Sequence, residues 1–445
     1  MQPRELANSI CERLQQAGFQ AYLVGGCVRD LLLAREPADF DITTNATPER
    51  VMHLFPGSIP VGAQFGVVLV DDGGPTVEVA TFREDIGYSD GRHPDQVRYA
   101  TRPEDDVSRR DFTINGLLMR HDTNEVLDFV GGQADLKAGL IRAIGDPNQR
   151  FAEDKLRMLR AVRFAARFGY ALEPLTFAAI QNHAPEIHVV SAERIHEELT
   201  KLLTEGAARR GFELLDESRL LRQLLPEIAA MKGVEQPPEF HPEGDVWIHT
   251  RLMLEGLPPY SPASLAWGVL LHDVGKPPTF RPASETGDRI RFDSHVEVGA
   301  QIAGEICKRL KFSNEDTQQV QALVANHMKF KDAAQMRKST LKRFVRLPHF
   351  DEHLELHRLD CRASHGRLDA YRLVKDFLRT TPPEQVRPAR LLTGDDLSEM
   401  GYAPGPVFQR ILGAVEDAQL EGALSSKDQA KKYVLDHYPR WPSGR

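Results

Sequence analysis

Leu23-Val24-Gly25-Gly26-Cys27-Val28-Arg29-Asp30, with Asp39-Phe40-Asp41 nine residues further on, is the stretch that decides the reading of this chain. On a strand, alternation sends the Asp39 and Asp41 carboxylates to one face and Phe40 to the other. Carboxylates this close repel each other unless a cation neutralises them, and oxygen donors suit Mg²⁺. The double glycine lets backbone amides approach a phosphate with no Cβ in the way. Together they point to phosphoryl or nucleotidyl transfer. Taken alone, the same residues also fit an ordinary turn followed by an exposed loop aspartate.

Working outward, Leu6, Ile10 and Leu14 recur at helical spacing over residues 3–17, which Gly18 ends. Ala21 to Val24 reads as a buried strand, Val28 to Leu33 as a helix, and Phe40 to Ile42 as the start of the next strand. Pro48 to Leu54 is helical. Gly66 to Val70 and Val77 to Ala80 read as strands around an Asp72-Gly73-Gly74 turn. This predicts a small mixed-sheet domain ending near Gly145. Glu78 is either a third carboxylate near the metal or a salt-bridged strand residue. Arg83 to Pro94 is rich in charge, Gly and Pro and reads as a long loop beside the site. In Arg109-Arg110-Asp111 adjacent arginines suit bidentate phosphate contacts. From Arg150 the pattern turns helical, and Arg150 to Phe164 reads as one amphipathic helix with Asp154, Arg157 and Arg160 on a slowly turning face. A solvated face laced with ion pairs is the alternative there.

With 445 residues the chain exceeds one core and divides into two to four domains. Its net charge of −8 excludes loose coating of nucleic acid and requires a local basic surface for any RNA. Cys11, Cys27, Cys307 and Cys361 form no C-x-x-C pair, so the expectation is a reducing cytoplasm. No apolar run is long enough for a membrane span, and no signal-peptide pattern is expected at the N-terminus.

The order Leu23-Val24-Gly25-Gly26 with Arg29-Asp30, Asp39-x-Asp41, Arg109-Arg110-Asp111 and Glu153-Asp154-x-x-Arg157 resembles the successive motifs of bacterial tRNA nucleotidyltransferases of the CCA-adding type, class II. That resemblance implies that Asp39 and Asp41 are catalytic and bind Mg²⁺, and that Gly26, Arg29 and Arg110 contact the nucleotide. Asp154 and Arg157 would read the base, supported by Arg160 and Arg163. The substrates would be CTP and ATP and the partner the tRNA acceptor end. Cytosine and adenine both offer an amino donor beside a ring-nitrogen acceptor, which suits a carboxylate next to a guanidinium.

In the second half, Leu271-His272-Asp273-Val274-Gly275-Lys276 resembles the signature of the HD metallophosphohydrolases. It implies His249, His272, Asp273 and Asp360 as core metal ligands, with His295 and His327 extending the site to two ions such as Mn²⁺ or Ni²⁺, for phosphomonoesters or cyclic phosphates at RNA 3′ ends. An empty relic of the fold is the alternative. Residues 335–346 are locally basic and fit either phosphate contact or a solvated helix face.

The expected fold class is an α+β nucleotidyltransferase head over residues 1–145, an all-α neck over 146–236, an HD-type helical domain over 237–379, a Pro-containing linker over 380–388 and a helical tail over 389–445. A poly(A) polymerase resembles the first motifs too, but Val61 to Val68 looks like the tRNA-enzyme version of that strand. Addition of A alone stays open, as does an HD phosphohydrolase whose N-terminal half only binds RNA. Assembly of the chain into dimers is left open as well.

Overall fold

The computed structural model describes residues 2–61, 66–71, 74–87 and 96–439. The chain forms two compact units, one mainly of residues 1–230 and one mainly of residues 231–445.

In the first unit, helix α1 (Pro3–Gln16) buries Leu6, Ile10 and Leu14 against a seven-stranded sheet, as their spacing requires. The strands are β1 (Ala21–Val24), β2 (Asp41–Thr44), β3 (Ile59–Pro60), β4 (Val67–Asp71) and β5 (Thr76–Thr81). A separate two-stranded ribbon follows, β6 (Arg83–Ile86) with β7 (Gln96–Tyr99), and the sheet is completed by β8 (Leu117–Met119) and β9 (Val126–Asp128). The sheet order is β3-β4-β5-β2-β1-β8-β9. Only β2 and β5 run parallel; every other neighbouring pair is antiparallel.

Two expectations about this unit are corrected. Arg83 to Ile86 is a strand, because a ribbon made of charged residues needs no apolar alternation when its ions pair. Glu84 faces Arg98 across the ribbon and bonds to it, and Arg83 meets Asp85 at 3.0 Å. Residues 88–94 of that expected loop, 62–65 of the Val61 to Val68 motif, and Asp72-Gly73 of the turn lie outside the described residues. Second, Arg150 to Phe164 is two helices, α6 (Pro147–Glu153) and α7 (Leu156–Phe168), in which α4 (Pro103–Ser108) and α5 (Gly132–Ala138) precede them in the chain. Asp154 between them is extended, with φ −146° and ψ 107°. Its carboxylate accepts the Leu156 amide at 3.0 Å, so it caps α7 and interrupts what composition alone would continue. Beyond them α8 (Pro174–His183), α9 (Ala192–Thr204) and α10 (Ala208–Glu217) build a helical layer, with α9 and α10 packed on α7.

The second unit is almost entirely helical. The tail helices Gly394–Glu399, Pro406–Glu421 and Lys427–His437 close their own small core around Leu397, Ile411 and Val434. The basic stretch 335–346 is neither a free phosphate surface nor merely solvated. Arg343 pairs with Glu416 (3.0 Å) and Asp417, Arg346 with Glu416 (2.6 Å), and Lys342 donates to the Leu420 carbonyl, so these cations dock the tail. The expected linker carries a helical turn, Pro383–Val386, whose Val386 carbonyl accepts from Arg346 at 2.6 Å. Replacing Arg343 and Arg346 together by alanine is expected to free the tail, so that limited trypsin cleavage after Arg387 or Arg390 runs several times faster than in the parent; equal rates would show that the apolar core alone holds it.

Candidate functional site

In the head, strand register gathers the carboxylates. Asp41 opens β2 opposite Val24 of β1 on one side and Glu78 of β5 on the other. Asp39 is exposed one turn of the pleat earlier, while Phe40 between them is buried in the core, as alternation predicts. Burial first, then the charges of Asp39 and Glu78, push the Asp41 carboxyl up to about 6, against which Arg110 alone acts. The charges of Asp39 and Glu78 both bear on Asp41 with Arg110 opposing them, and carboxylate oxygens there suit a hard divalent cation. Glu78 lies opposite Asp41 in the sheet, on an exposed position of β5.

The glycine pair ends β1 and starts α2 (Gly26–Leu32). Gly25 has φ +77°, a conformation that favours glycine, and a Cβ there would lie 3.4 Å from the Arg110 guanidinium, in ordinary contact. Arg110 is thus held over the glycine turn, beside the carboxylates. It is aimed by Asp106 of α4, a residue whose significance its acidic surroundings in Glu104-Asp105-Asp106 conceal in the sequence. Asp106 is fully buried, accepts from Thr43 of β2 at 3.1 Å, and pairs with Arg109 (2.6 Å) and Arg110 (3.0 Å). Burial acts to raise its carboxyl, but the two arginines outweigh it and bring it down to about 2.

Arg29 sits differently from what its expected phosphate contact would require. It is buried, pairs with Asp30 at 2.8 Å, donates to Asn115 at 2.6 Å and lies against the Phe168 ring. From it a polar chain runs through Asn115 to Asp111 (3.1 Å), and from Asp111 to Arg160 of α7 (2.8 Å). Arg160 also faces Glu198 of α9, which with Glu205 takes up the buried Arg163. Arg163 is consumed by these pairs and supports the helix from behind. Arg157 bonds Glu153 (2.6 Å) and the carbonyls of Arg150 and Arg109. Asp154 is gripped by Arg194 of α9 through two hydrogen bonds, of 3.2 and 2.7 Å. The pair expected to read a base therefore flanks a helix start and does not share the face of one continuous helix. Arg194 and Glu198, forty residues away in the chain, gave no local signal; their i, i+4 spacing on α9 was the only clue.

In the second unit all six residues expected at a metal centre converge. The ligand atoms of His249, His272 and Asp360 lie within 4.8 Å of one another, as do those of Asp273, His295 and His327. All but the fully buried His249 line a cavity of about 510 Å³, together with Phe240, His241, Lys276 and Phe292. Gly275 makes this convergence possible, since a Cβ there would stand 2.0 Å from the His295 carbonyl oxygen. His272, His295 and His327 each turn Nδ1 to the carbonyl three residues earlier, at 2.9, 2.9 and 2.7 Å. That frees Nε2 of each for the cavity side. Nε2 of His295 is buried and makes no hydrogen bond among the described residues, while Nε2 of His249 lies 3.3 Å from Asp360 and Nε2 of His272 lies 3.1 Å from Oδ2 of Asp273. Imidazole nitrogens and carboxylate oxygens that converge at one buried point fit a bound ion. Lys276 donates to Gln236 at 2.6 Å, pairs with Asp273 at 2.7 Å and lines the same cavity.

Three family profiles match in order: the poly(A) polymerase head domain over residues 21–142, a probable RNA- and SrmB-binding site of polymerase A over 169–232, and the HD domain over 245–359. The chain belongs to the class II nucleotidyltransferase family of CCA-adding enzymes, with an HD domain. It is 45% identical over 207 residues to the CCA-adding enzyme of Levilactobacillus brevis, covering 46% of this chain and 52% of that protein. To the enzyme of Latilactobacillus sakei it is 41% identical over 254 residues, 56% and 64% of the two chains. The matched region thus spans about half to two-thirds of the length of these curated relatives. The solved Bacillus stearothermophilus CCA-adding enzyme in complex with CTP superposes with a TM-score of 0.75 at 26% identity, over 98% of both chains. The Thermotoga maritima CCA-adding enzyme complexed with tRNA shares the fold, with a TM-score of 0.59 and 20% identity over 98% of this chain and 96% of that one. Both domain types of this family imply metal ions. Among the described residues no helix is long and apolar enough to cross a membrane.

The pH dependence of the Asp106 anchor follows from its lowered carboxyl. Its contribution is complete above the unfolded value of 3.8 and is lost as pH falls through about 2. Asp106→Asn is expected to cost about 2 kcal/mol at pH 7 by this linkage, and the difference from the parent should shrink as pH drops below 4. Urea midpoints across pH 3–7 test it: a gap that stays constant would mean that the ion pairs contribute nothing.

Proposed function

We propose that this protein adds the 3′-terminal C, C and A to tRNA from CTP and ATP, without a nucleic-acid template and with release of pyrophosphate. The observation that carries this is the Asp39, Asp41 and Glu78 cluster set beside Arg110 and the Gly25-Gly26 turn by the strand register. Asp39 and Asp41 would hold Mg²⁺, which would supply Lewis-acid stabilisation of charge developing at the RNA 3′-hydroxyl and the phosphates. The backbone of Gly26 and the Arg110 guanidinium would take the phosphates. Arg29, buried beneath the turn, would hold its shape. Asp106 keeps Arg110 extended toward the phosphates so that its side chain is ordered before substrate arrives.

Asp154 and Arg157 would read the Watson–Crick edge of the incoming base, with Arg194 fixing the carboxylate and Arg160 and Arg163 anchoring α7. A carboxylate accepting from the amino group and a guanidinium donating to the ring nitrogen match cytosine and adenine. Guanine and uracil turn a carbonyl oxygen to the carboxylate instead. Loss of such a bidentate match costs about 1–3 kcal/mol. Asp154→Ala combined with Arg157→Ala should accordingly bring incorporation of UTP and GTP to within a few-fold of CTP and ATP, while Mg²⁺ binding persists; unchanged selectivity in single-turnover assays would refute the template role.

Residues 1–145 would form the catalytic head, 146–236 the base-reading and RNA-binding neck, 237–379 the HD domain and 389–445 the tail. The HD centre would use His249, His272, Asp273, His295, His327 and Asp360 to hold one or two Mn²⁺, Ni²⁺ or similar ions. Hydrolysis of phosphomonoesters or cyclic phosphates there would clear damaged RNA 3′ ends before nucleotide addition. The setting would be the cytoplasm, where the four free, buried cysteines stay reduced.

Incubation with tRNA transcripts ending before the tail, after CC and after CCA, given CTP and ATP singly and together, tests the transferase. Completion of all three positions and arrest at CCA is the expected outcome. Addition of A alone would reassign it as an A-adding enzyme, and long adenylate tracts on arbitrary RNA as a poly(A) polymerase.

A further inference from the structure

Glu243 is absent from the six residues just named, and it is the residue that distinguishes His249 from its neighbours. His272, His295 and His327 are each oriented by a neutral backbone carbonyl. His249, with no exposure at all, instead directs Nδ1 at the Glu243 carboxylate, at 2.6 Å. Its Nε2 lies on the other side, 3.3 Å from Asp360 and within the group that includes His272. The same Glu243 oxygen takes the Nδ1 of His241 at 2.8 Å, while its second oxygen is buried and accepts no hydrogen bond among the described residues. The Glu243 side chain is itself more than nine-tenths buried.

The loop that carries it is tied down by hydrogen bonds. The Phe240 and His241 amides both bond to the Pro237 carbonyl. Asp245 caps the helix Val246–Gly256 through the Ile248 amide at 2.7 Å and also accepts the Gly233 amide at 2.7 Å. Gly244 between them has φ +130°, which turns the chain so that Glu243 points inward and Asp245 faces the helix end. A carboxylate brought to an apolar-lined helix bundle by so fixed a loop requires a partner that gains from its charge.

We propose that Glu243 is the positioning residue of the HD centre: it locks the His249 ring with Nδ1 protonated, presents Nε2 to the ion, and adds negative charge behind that ligand. This rests on the reading of the six residues as a metal centre. A carboxylate behind a ligating imidazole fixes its tautomer and raises its basicity, and removing it typically weakens metal binding about 10–100-fold. The other three histidines obtain orientation from their carbonyls but no such charge. His241 shares the carboxylate and lines the cavity; its ligand atom lies within 4.8 Å of those of Glu243 and His249, and it is assigned here to the substrate side, which the His241→Ala variant tests.

The test measures Mn²⁺ affinity by chelator competition in the full chain carrying Asp39→Asn and Asp41→Asn, so that the ion read is the one in the second unit. Glu243→Gln is expected to weaken Mn²⁺ at least tenfold with a Tm close to the parent. Glu352→Gln serves as a control: Glu352 is also buried in the same unit and bonds Ser264 and Gln319. It should leave Mn²⁺ affinity unchanged. His241→Ala should also bind Mn²⁺ within a few-fold of the parent. Parent-like affinity in Glu243→Gln, an equal loss in Glu352→Gln, or loss of a metal equivalent in His241→Ala would each overturn the role of Glu243 while leaving the metal centre standing. Absence of Mn²⁺ from the Asp39→Asn, Asp41→Asn parent would overturn both. Should circular dichroism show Glu243→Gln unfolded, Glu243→Asp, which withdraws the charge by one methylene, is expected to weaken Mn²⁺ severalfold, and undiminished binding there refutes the proposal.

Discussion

The register of β2 governs the catalytic half of the head. Asp41 lies opposite Val24, the residue before the glycine turn, and opposite Glu78. A slip of one residue on either side would turn Asp41 into the core and Phe40 out to solvent. Phe40 and Ile42, buried in the same core as Leu23 and Val79, make that slip costly. Apolar packing on one face of the sheet thus fixes like charges on the other, where electrostatics alone would separate them. Arg110 is tied to the same strand through Asp106 and Thr43, so it moves with the carboxylates.

What the sequence made legible was whatever is local. The sheet strands, α1 and the two carboxylates follow from alternation and helical spacing over a few residues. The six histidines and aspartates of the second unit were recognisable through the His272-Asp273 signature and their scatter along helices. Residues acting over long separations left no such trace. Asp106 looks like one more acid in a charged first turn, and only the fold shows that it is wholly buried between two arginines and β2. The break at Asp154 was invisible for a different reason. The stretch from Arg150 to Phe164 holds no Gly or Pro, and the interruption comes from an aspartate whose carboxylate competes for the next amide. Arg83 to Ile86 was misread because charged ribbons lack the apolar alternation that marks half-buried strands.

The arginines of α7 show why charge counts along a helix are a poor guide to ligand contacts. Arg157, Arg160 and Arg163 all have carboxylate partners, drawn from α6, from the segment before β8, and from α9. Exposed ion pairs contribute little to stability, but these are largely shielded and several share a carboxylate. Arg163 in particular is more than nine-tenths buried and could not be stripped of Glu198 without leaving that charge uncompensated. Their common effect is to fix the direction of long side chains whose ordering would otherwise oppose binding by about 0.5–1.5 kcal/mol each.

The same reasoning separates the two sites by how each meets its charge. In the head, the charges of Asp39 and Glu78 act on Asp41 against Arg110, and both Asp39 and Glu78 are exposed to solvent. In the second unit the charges are buried, so the groups around them must be arranged pairwise: carbonyls behind three histidines and the Glu243 carboxylate behind the fourth. A buried site cannot rely on solvent to orient its ligands. Each imbalance is therefore corrected within hydrogen-bond distance, and the buried Nε2 of His295, which makes no hydrogen bond among the described residues, marks where a remaining partner belongs.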